Sequence, residues 1–387
     1  MSSESTIVRF DTETPTPTEP AGDPGMNGPQ VVVQEPQKIV VQEPQKIMMP
    51  DARPPVGQKL GRGLDVGTAN LLSAVQSENG EVSVKRERNA FLEIPSTAGG
   101  GRETLTRLKV PFVQHQDRLY VLGDVSFQLA NMFGKEVRRP MQDGFLAPGE
   151  QDAIPIMRFI LDRLLGKPAV EGEPVHFCIP APSIDRDNDT VYHEGIVSSI
   201  IKKLGFKPRS MNEGHAVVYS ELADAGFTGI GVSCGGGMFN VCIAYKTIPA
   251  VTFSVARGGD WIDRHVAKVM GIQRTRATGI KEGGIDLLNP QSREEEAVVL
   301  YYRSLISYVL MNLKQRFQLS RDVPQFSEPV EVVTAGGTSM AKGFVELFAE
   351  ELGKIDFPLK IACVRGADDP MTSVVRGTLI AAALEEA

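Results

Sequence analysis

Three glycine turns carry the residues whose types and spacing could do chemistry. They read DVGTAN at residues 65–70, SCGGGMFN at residues 233–240 and AGGTS at residues 335–339. Backbone N–H groups that converge in such a turn can hold a phosphate, because glycine has no Cβ to keep the ligand at a distance. Asp65 opens the first turn, and a carboxylate at this position can hold Mg²⁺ through water. One turn alone is equally consistent with an ordinary β-turn, whereas three in this order predict a nucleotide site.

The elements around the turns indicate two related halves. Apolar strand patterns flank the first and second turns, and the third turn ends a strand and opens a helix. The N-terminus of that helix could face the phosphates or the ribose of a nucleotide. A long helix is predicted from about residue 293 to residue 319, and residues 372–386 are predicted to form a closing helix. Because the strand–turn–strand unit appears twice, we expect a duplicated α/β fold.

The first 57 residues differ in composition from the rest of the chain. They hold ten of the 26 prolines and one aromatic residue, Phe10. We therefore expect a disordered tail, because such a segment buries too little apolar surface to offset chain entropy. The octapeptide VVQEPQKI occurs there twice in tandem, at residues 32–39 and 40–47. It is either part of a plain tether or a docking motif for a protein partner, whose two copies would raise the apparent affinity.

Composition narrows the class of protein. A net charge of −7 and a pI of about 5.5 argue against nucleic acid as a partner. No window approaches the roughly 18 apolar residues of a membrane span, and the N-terminus lacks the apolar core of a secretory signal, so we expect a cytoplasmic protein. The four cysteines form no CxxC pair and the five histidines lack ligand spacing, which favours buried reduced thiols over a metal or redox site.

Residues 60–385 resemble the bacterial actins of the MreB and MamK kind, within the superfamily of actin, heat-shock chaperone and sugar kinase ATPases. Residues 63–70 are similar to the first phosphate loop of MreB, RPMQDG at residues 139–144 to the segment before its first long helix, and VVTAGGTSMAKGF at residues 332–344 to its adenosine loop. The resemblance implies an actin-like (ribonuclease H-like) duplicated two-lobe ATPase fold. The implied divisions are a tail at 1–57, a first lobe at 58–212, a second lobe at 213–370 and a C-terminal helix at 371–387 that returns to the first lobe.

The resemblance also implies roles for individual residues, with ATP, ADP and Mg²⁺ as ligands. Glu213 corresponds to the glutamate that positions the attacking water, and Asp65 to a carboxylate that assists catalysis and holds Mg²⁺ through water. The implied nucleotide-binding residues are Gly67, Thr68, Ala69, Asn70, Gly235, Gly236, Gly237, Met238, Gly259, Lys281, Glu282, Gly336, Gly337, Thr338 and Ser339.

The second glycine turn departs from the family pattern DxGGGT. Ser233 stands where the family has Asp, and Met238 stands where it has Thr. The glycines are kept, so we expect the backbone cradle to be kept as well. A hydroxyl cannot replace the charge of a carboxylate beside Mg²⁺, so we expect ATP hydrolysis to ADP and phosphate to be weak or absent. The stretch from 283 to 293 is short where MreB carries further strands, which predicts a trimmed second lobe.

Two functions of different classes fit these features. The first is an ATP-binding protein that self-associates into cytoskeletal filaments, involved in cell shape or intracellular organisation. The alternative is a non-polymerising nucleotide-binding adaptor, a pseudo-ATPase scaffold of an envelope or membrane machine. Four apolar residues lie near the position where MreB-type proteins touch a membrane, but no basic cluster accompanies them, so we expect them to form a buried face. They are Phe127, Leu129, Met132 and Phe133.

Overall fold

The computed structural model describes residues 58–96, 100–115, 117–187, 190–320 and 324–385. The tail and its octapeptide repeat therefore lie outside the described residues. The strands are β1 (Gln58–Val66), β2 (Asn70–Ser77), β3 (Val82–Arg88), β4 (Phe91–Pro95), β5 (Val113–His115), β6 (Arg118–Leu122), β7 (Met141–Gln142), β8 (Phe145–Leu146), β9 (Glu173–Ile179), β10 (Phe206–Asn212), β11 (Gly229–Cys234), β12 (Phe239–Tyr245), β13 (Ile248–Val255), β14 (Val330–Ala335) and β15 (Ile361–Gly366). The helices are α1 (Gly101–Arg107), α2 (Asp124–Phe133), α3 (Ala153–Leu165), α4 (Thr190–Lys203), α5 (Glu213–Glu221), α6 (Gly259–Met270), α7 (Arg274–Glu282), α8 (Arg293–Leu319), α9 (Phe344–Gly353) and α10 (Ser373–Glu385), with a 3₁₀ turn at Gly337–Met340.

The first large sheet has the order β10-β9-β1-β2-β3. β1, β2 and β3 are antiparallel neighbours, whereas β1, β9 and β10 run parallel. Helices cover both faces, and the apolar residues of β1 and β9 are buried beneath them. α3 and α4 pack on one face, where Leu64, Phe177 and Met157 are fully buried. α10 packs on the other face through Val375 and its neighbours, so the C-terminal helix returns to this sheet.

The second large sheet has the order β13-β12-β11-β14-β15. It repeats the first arrangement strand for strand, with an antiparallel β11–β12–β13 meander followed by parallel β14 and β15. α6, α8 and α9 cover one face around Ile230, Phe253 and Leu305. α5 covers the other face through Val217 and Val218. The duplicated α/β architecture expected from the two strand–turn–strand units is therefore confirmed.

The helices α5 and α10 lie against each other between the two sheets. They approach closely at Gly377, where a Cβ would overlap the backbone of Ala216. Any side chain at residue 377 would push the helices apart, because the atoms that it would meet are backbone atoms of α5, which cannot rotate away as a side chain can.

A smaller sheet, β4-β6-β5, lies at the side of the first large sheet and packs with α1 and α2. Its core contains Leu129 of α2, which is buried as expected. Phe127 and Met132 of the same helix are 40% and 60% exposed, so the expectation of one buried face for α2 is wrong for these two residues. The helix is only half covered because a single small sheet lies beneath it.

Candidate nucleotide site

A cavity of about 490 Å³ lies between the two large sheets, where the β1–β2 and β11–β12 hairpin turns face each other. Its volume lies within the range of small-molecule sites, roughly 300–1,000 Å³. Two predicted residues, Gly259 and Ser339, do not line the cavity, although their sequence neighbours Asp260 and Thr338 do. The predicted residues that do line it are Asp65, Gly67, Thr68, Ala69, Asn70, Glu213, Gly235, Gly236, Gly237, Met238, Lys281, Glu282, Gly336, Gly337 and Thr338.

The first turn is fixed from two sides. The N–H of Gly67 donates to Asn70 O over 3.1 Å, and the Asn89 side chain donates to Gly67 O over 3.0 Å. The hydroxyl of Thr68 accepts from the N–H of Gly144 over 2.9 Å. The Asn70 Oδ1 atom is buried without a hydrogen-bond partner among the described residues. A rigid turn with an unsatisfied polar atom beside it is consistent with a ligand that completes the hydrogen bonding.

The second turn contacts both of the others. A Cβ on Gly237 would overlap the Thr68 side chain and lie 2.6 Å from Gly144 N, so only glycine fits between the first turn and residue 144. Towards the third turn, the Thr338 hydroxyl donates to Gly235 O over 2.9 Å. The Met238 side chain packs on Gly144, so the residue in place of the family Thr makes an apolar contact across the cleft.

Two acidic side chains lie together at the base of the cavity, where Glu213 is buried and Asp65 is partly buried. Burial and then the charge of Asp65 raise the pKa of Glu213 to about 8. Burial raises the pKa of Asp65 to about 6, although a hydrogen bond from the Cys178 thiol acts in the opposite direction. Two neighbouring carboxyl groups that are shielded from water resist double ionisation, so a bound cation would stabilise the doubly charged pair.

Ser233 touches the acidic pair directly. Its hydroxyl donates to Glu213 Oε2 over 2.9 Å. Glu213 does not cap α5, because the Asn212 side chain accepts from the N–H groups of Gly214 and His215 instead. Among the described residues no three His, Cys, Asp or Glu side chains cluster as a metal site. A Mg²⁺ ion at this position would therefore need water and phosphate oxygens besides Asp65.

Lys281 and Glu282 lie at the end of α7 beside the cavity. The Lys281 ammonium lies 2.8 Å from Asp263 Oδ1 and donates to Gly259 O over 2.9 Å. Thr278 donates to the other oxygen of Asp263 over 2.7 Å. Lys281 therefore ties α7 to the start of α6 and presents only part of its surface to the cavity, whereas Glu282 is exposed.

Charged residues of the RPMQDG segment and of α6 join the lobes across the cleft, a contact that the sequence did not predict. Arg139 of the RPMQDG segment donates to both oxygens of Asp260, over 2.9 and 3.1 Å. Asp143 of the same segment is paired with Arg264, one turn further along α6, at 3.3 Å. Asp143 also pairs with Arg186. In one cross-lobe pair the RPMQDG segment supplies the cation, and in the other it supplies the anion. The sequence feature that could have indicated these pairs is the spacing of Asp260 and Arg264, which places both on one face of α6.

The cradle fits an extended, negatively charged ligand better than a compact apolar one. Backbone from three glycine turns lines the cavity, and so do Tyr302, Ile285 and Met340, against which a flat ring could pack. Among the described residues, no helix is both long enough and apolar enough to cross a membrane.

Proteins that share this sequence pattern or this fold are known. A family model described as Volactin matches residues 60–382, and no curated protein matches the sequence. Among solved structures, the MamK double helical filament superimposes with a TM-score of 0.65 at 20% identity, over 85% of this chain and 99% of that one. MreB 5 of Spiroplasma citri bound to AMPPNP gives 0.61 at 15% identity, over 85% and 97%. The ethanolamine utilization protein EutJ from Carboxydothermus hydrogenoformans gives 0.50 at 19% identity, over 84% and 91%.

Proposed function

The chain belongs to the volactin family and has the actin-like fold of MreB and MamK, and from this premise we propose that it binds ATP and ADP, hydrolyses ATP slowly and assembles into filaments. The observation that carries the proposal is the convergence of three glycine turns on one cavity that also contains Asp65 and Glu213. Any one of these turns would fit an ordinary β-turn, whereas three that meet beside an acidic pair form a cradle suited to phosphate and a metal ion.

The residues divide the work between the two lobes. The backbone N–H groups of the first and second turns would bind the phosphates, and the third turn with its 3₁₀ segment would hold the nucleoside. Asp65 would hold Mg²⁺ through water, and the ion when bound would supply positive charge next to the acidic pair. Glu213 would then be ionised and able to orient a water molecule.

Slow hydrolysis follows from Ser233. Its hydroxyl occupies one oxygen of Glu213 over 2.9 Å and adds no charge for the metal. A site for phosphoryl transfer works mainly by placing the ion and the water. Losing a carboxylate from this shell therefore weakens both placements while the glycine cradle that binds phosphate stays.

Nucleotide binding can be tested by thermal unfolding of the full chain with Mg²⁺ and millimolar ATP or ADP. Binding to the folded state should raise the melting temperature by mass action. Gly237→Val should remove this shift, because a side chain at residue 237 would overlap the first turn. Gly149→Val is the matched control, since a Cβ at exposed Gly149 meets no atom within 4 Å. A folded wild-type protein that shows no shift would contradict the proposal.

Assembly can be tested by electron microscopy and sedimentation with and without ATP. The similarity to the MamK filament supports self-association of this chain, and we expect filaments that depend on nucleotide. A monomeric protein that binds ATP but gives no filaments or pellet would favour the second candidate.

The second candidate is a non-polymerising adaptor on the same fold. The specific observation in its favour is Ser233, since a scaffold needs the nucleotide as a structural ligand and not as a substrate. In this case the octapeptide repeat at residues 32–47 would recruit the protein partner, and a cytoplasmic location is proposed for either candidate.

A further inference from the structure

The cations that line the cavity fall into two groups. Arg139, Lys281 and Lys342 each have a carboxylate partner, at 2.9, 2.8 and 2.7 Å. Arg86 and Arg88 also line the cavity. Within the part of the chain that the structure describes, neither of these two arginines has an ion pair. They are the cationic side chains of the cavity whose charge is left for a ligand.

Strand pairing places both arginines next to the first turn. β3 is antiparallel to β2 in a register that sets Arg88 opposite Asn70 and Arg86 opposite Leu72. Side chains of directly opposed residues share a face, with Cβ atoms roughly 4.5–5.5 Å apart. Asn70 ends the DVGTAN turn and Leu72 also lines the cavity. The two arginines therefore project from the floor of the cavity on the side of the first phosphate turn.

Hydrogen bonds fix the end of β3 against that turn. The N–H of Asn89, the residue after Arg88, donates to Ala69 O over 3.0 Å, and the Asn89 side chain donates to Gly67 O over 3.0 Å. The backbone of Arg88 is thus locked to the turn whose N–H groups would face the phosphates.

The Arg88 guanidinium packs on an aromatic ring, but its hydrogen-bonding capacity is not fully used among the described residues. Its Cζ lies 5.5 Å from the centroid of the Phe127 ring, and its Nε is buried without a hydrogen-bond partner among the described residues. The unpartnered Asn70 Oδ1 lies on the opposing residue. A buried, unsatisfied guanidinium N–H is costly, and a phosphate oxygen is the acceptor that a planar guanidinium fits best.

We propose that Arg88, with Arg86 beside it on the same face of β3, binds the polyphosphate of the nucleotide from the first lobe. The inference rests on the proposed nucleotide binding and assigns its main side-chain cation. It would also allow a nucleotide to bind in a cavity that contains Asp65, Glu213 and Glu282, because two unpaired guanidinium groups offset part of the repulsion between these acids and the phosphates.

The test compares ATP, ADP and AMP binding to the full chain by titration calorimetry with Mg²⁺. Arg88→Gln should weaken ATP binding by about tenfold or more, because a charge-assisted bond to phosphate is lost. ADP should lose less and AMP no more than about twofold, since fewer charges remain to be bound. Arg88→Lys should bind ATP with an affinity between those of the wild type and Arg88→Gln, because lysine keeps the charge but lacks the planar pair of N–H donors that binds phosphate bidentately.

Lys85→Gln is the matched control. Lys85 lies on the same strand and is exposed. Its replacement removes the same charge, but from the opposite face of β3. It should leave all three affinities unchanged. Melting temperatures of every variant separate a phosphate effect from a loss of packing on Phe127.

The outcomes are distinguishable. Wild-type protein that binds no nucleotide overturns the proposed function and this inference together. Wild-type protein that binds ATP, with Arg88→Gln and Arg86→Gln binding it equally well, overturns only the inference. A loss that is equal for ATP and AMP and accompanied by a lower melting temperature assigns Arg88 to packing, which also overturns it.

Discussion

Replacing Glu213 with Gln should stabilise the ligand-free protein, and more so as the pH rises. The pKa of Glu213 is about 8 in the folded protein against 4.5 for an unperturbed side chain. Between these values the folded state binds a proton that the unfolded state has lost. The stability contributed by protonated Glu213 is thus complete below about pH 4.5 and is lost as the pH rises through 8.

The size of the effect follows from the two pKa values. At about 1.36 kcal/mol per pKa unit, Glu213 alone should lower the free energy of unfolding by about 3 kcal/mol between pH 5 and pH 8. A Gln at this position cannot ionise, and it keeps a side-chain oxygen for the Ser233 hydroxyl. The variant should therefore melt roughly 4–5 °C above the wild type at pH 8, and close to it at pH 5.

The assay is thermal unfolding of wild type and Glu213→Gln from pH 5 to pH 8, without nucleotide or Mg²⁺. Glu346→Gln, at an exposed position of α9, is the control for the change in net charge. The same Gln variant should slow the residual ATP hydrolysis further, since an amide can still hydrogen-bond water but cannot accept its proton. Parallel pH profiles for the wild type and Glu213→Gln would refute the reasoning, as would a variant less stable than wild type at pH 8.

Three other changes probe the acidic pair, the cleft and the tail. Ser233→Asp places a third carboxylate beside Glu213, so the ligand-free protein should melt lower, Mg²⁺ should stabilise it more and phosphate release should quicken; an unchanged Mg²⁺ response would contradict this. Arg264→Gln removes a partly exposed ion pair between the lobes, so ATP should dissociate a few-fold faster in a stopped-flow experiment. An unaltered dissociation rate would show that this ion pair does not hold the cleft closed. Deleting residues 1–57 should leave melting and nucleotide binding unchanged, and removing one or both copies of the repeat within residues 32–47 should weaken and then abolish partner recovery in pull-downs; equal recovery would make the repeat a tether.

Local patterns predicted the local features of the fold well. The bounds of α8 agree with the predicted helix, and the first two glycine turns lie between the expected strands, because periodicity and turn residues act over a few residues. The duplicated sheet was also accessible, since each half repeats the same order of signals.

The long-range features were not accessible from local patterns. The Ser233–Glu213 hydrogen bond and the position of Arg88 opposite Asn70 depend on strand register and on packing between separate elements, which the periodicity of one element does not specify. Lys281 is another example. The family resemblance implied a nucleotide contact for it, but its ion pair with Asp263 depends on how α7 packs against α6, which the resemblance did not indicate. No pattern within a helix shows which distant carboxylate will lie within reach.

The thiol at the base of the cavity makes the state of the cleft readable by chemical labelling. Cys178 donates to Asp65 Oδ1 over 3.0 Å and its sulfur accepts from Val66 N over 3.1 Å, and burial raises the pKa of the thiol well above its ordinary range. The reactive form of cysteine is the thiolate, so Cys178 should resist alkylating reagents while the site is closed. Exposed Cys363 should react at once and act as an internal standard in the same mass spectrum. The ratio of the two adducts over time then measures how often the base of the cavity opens to solvent.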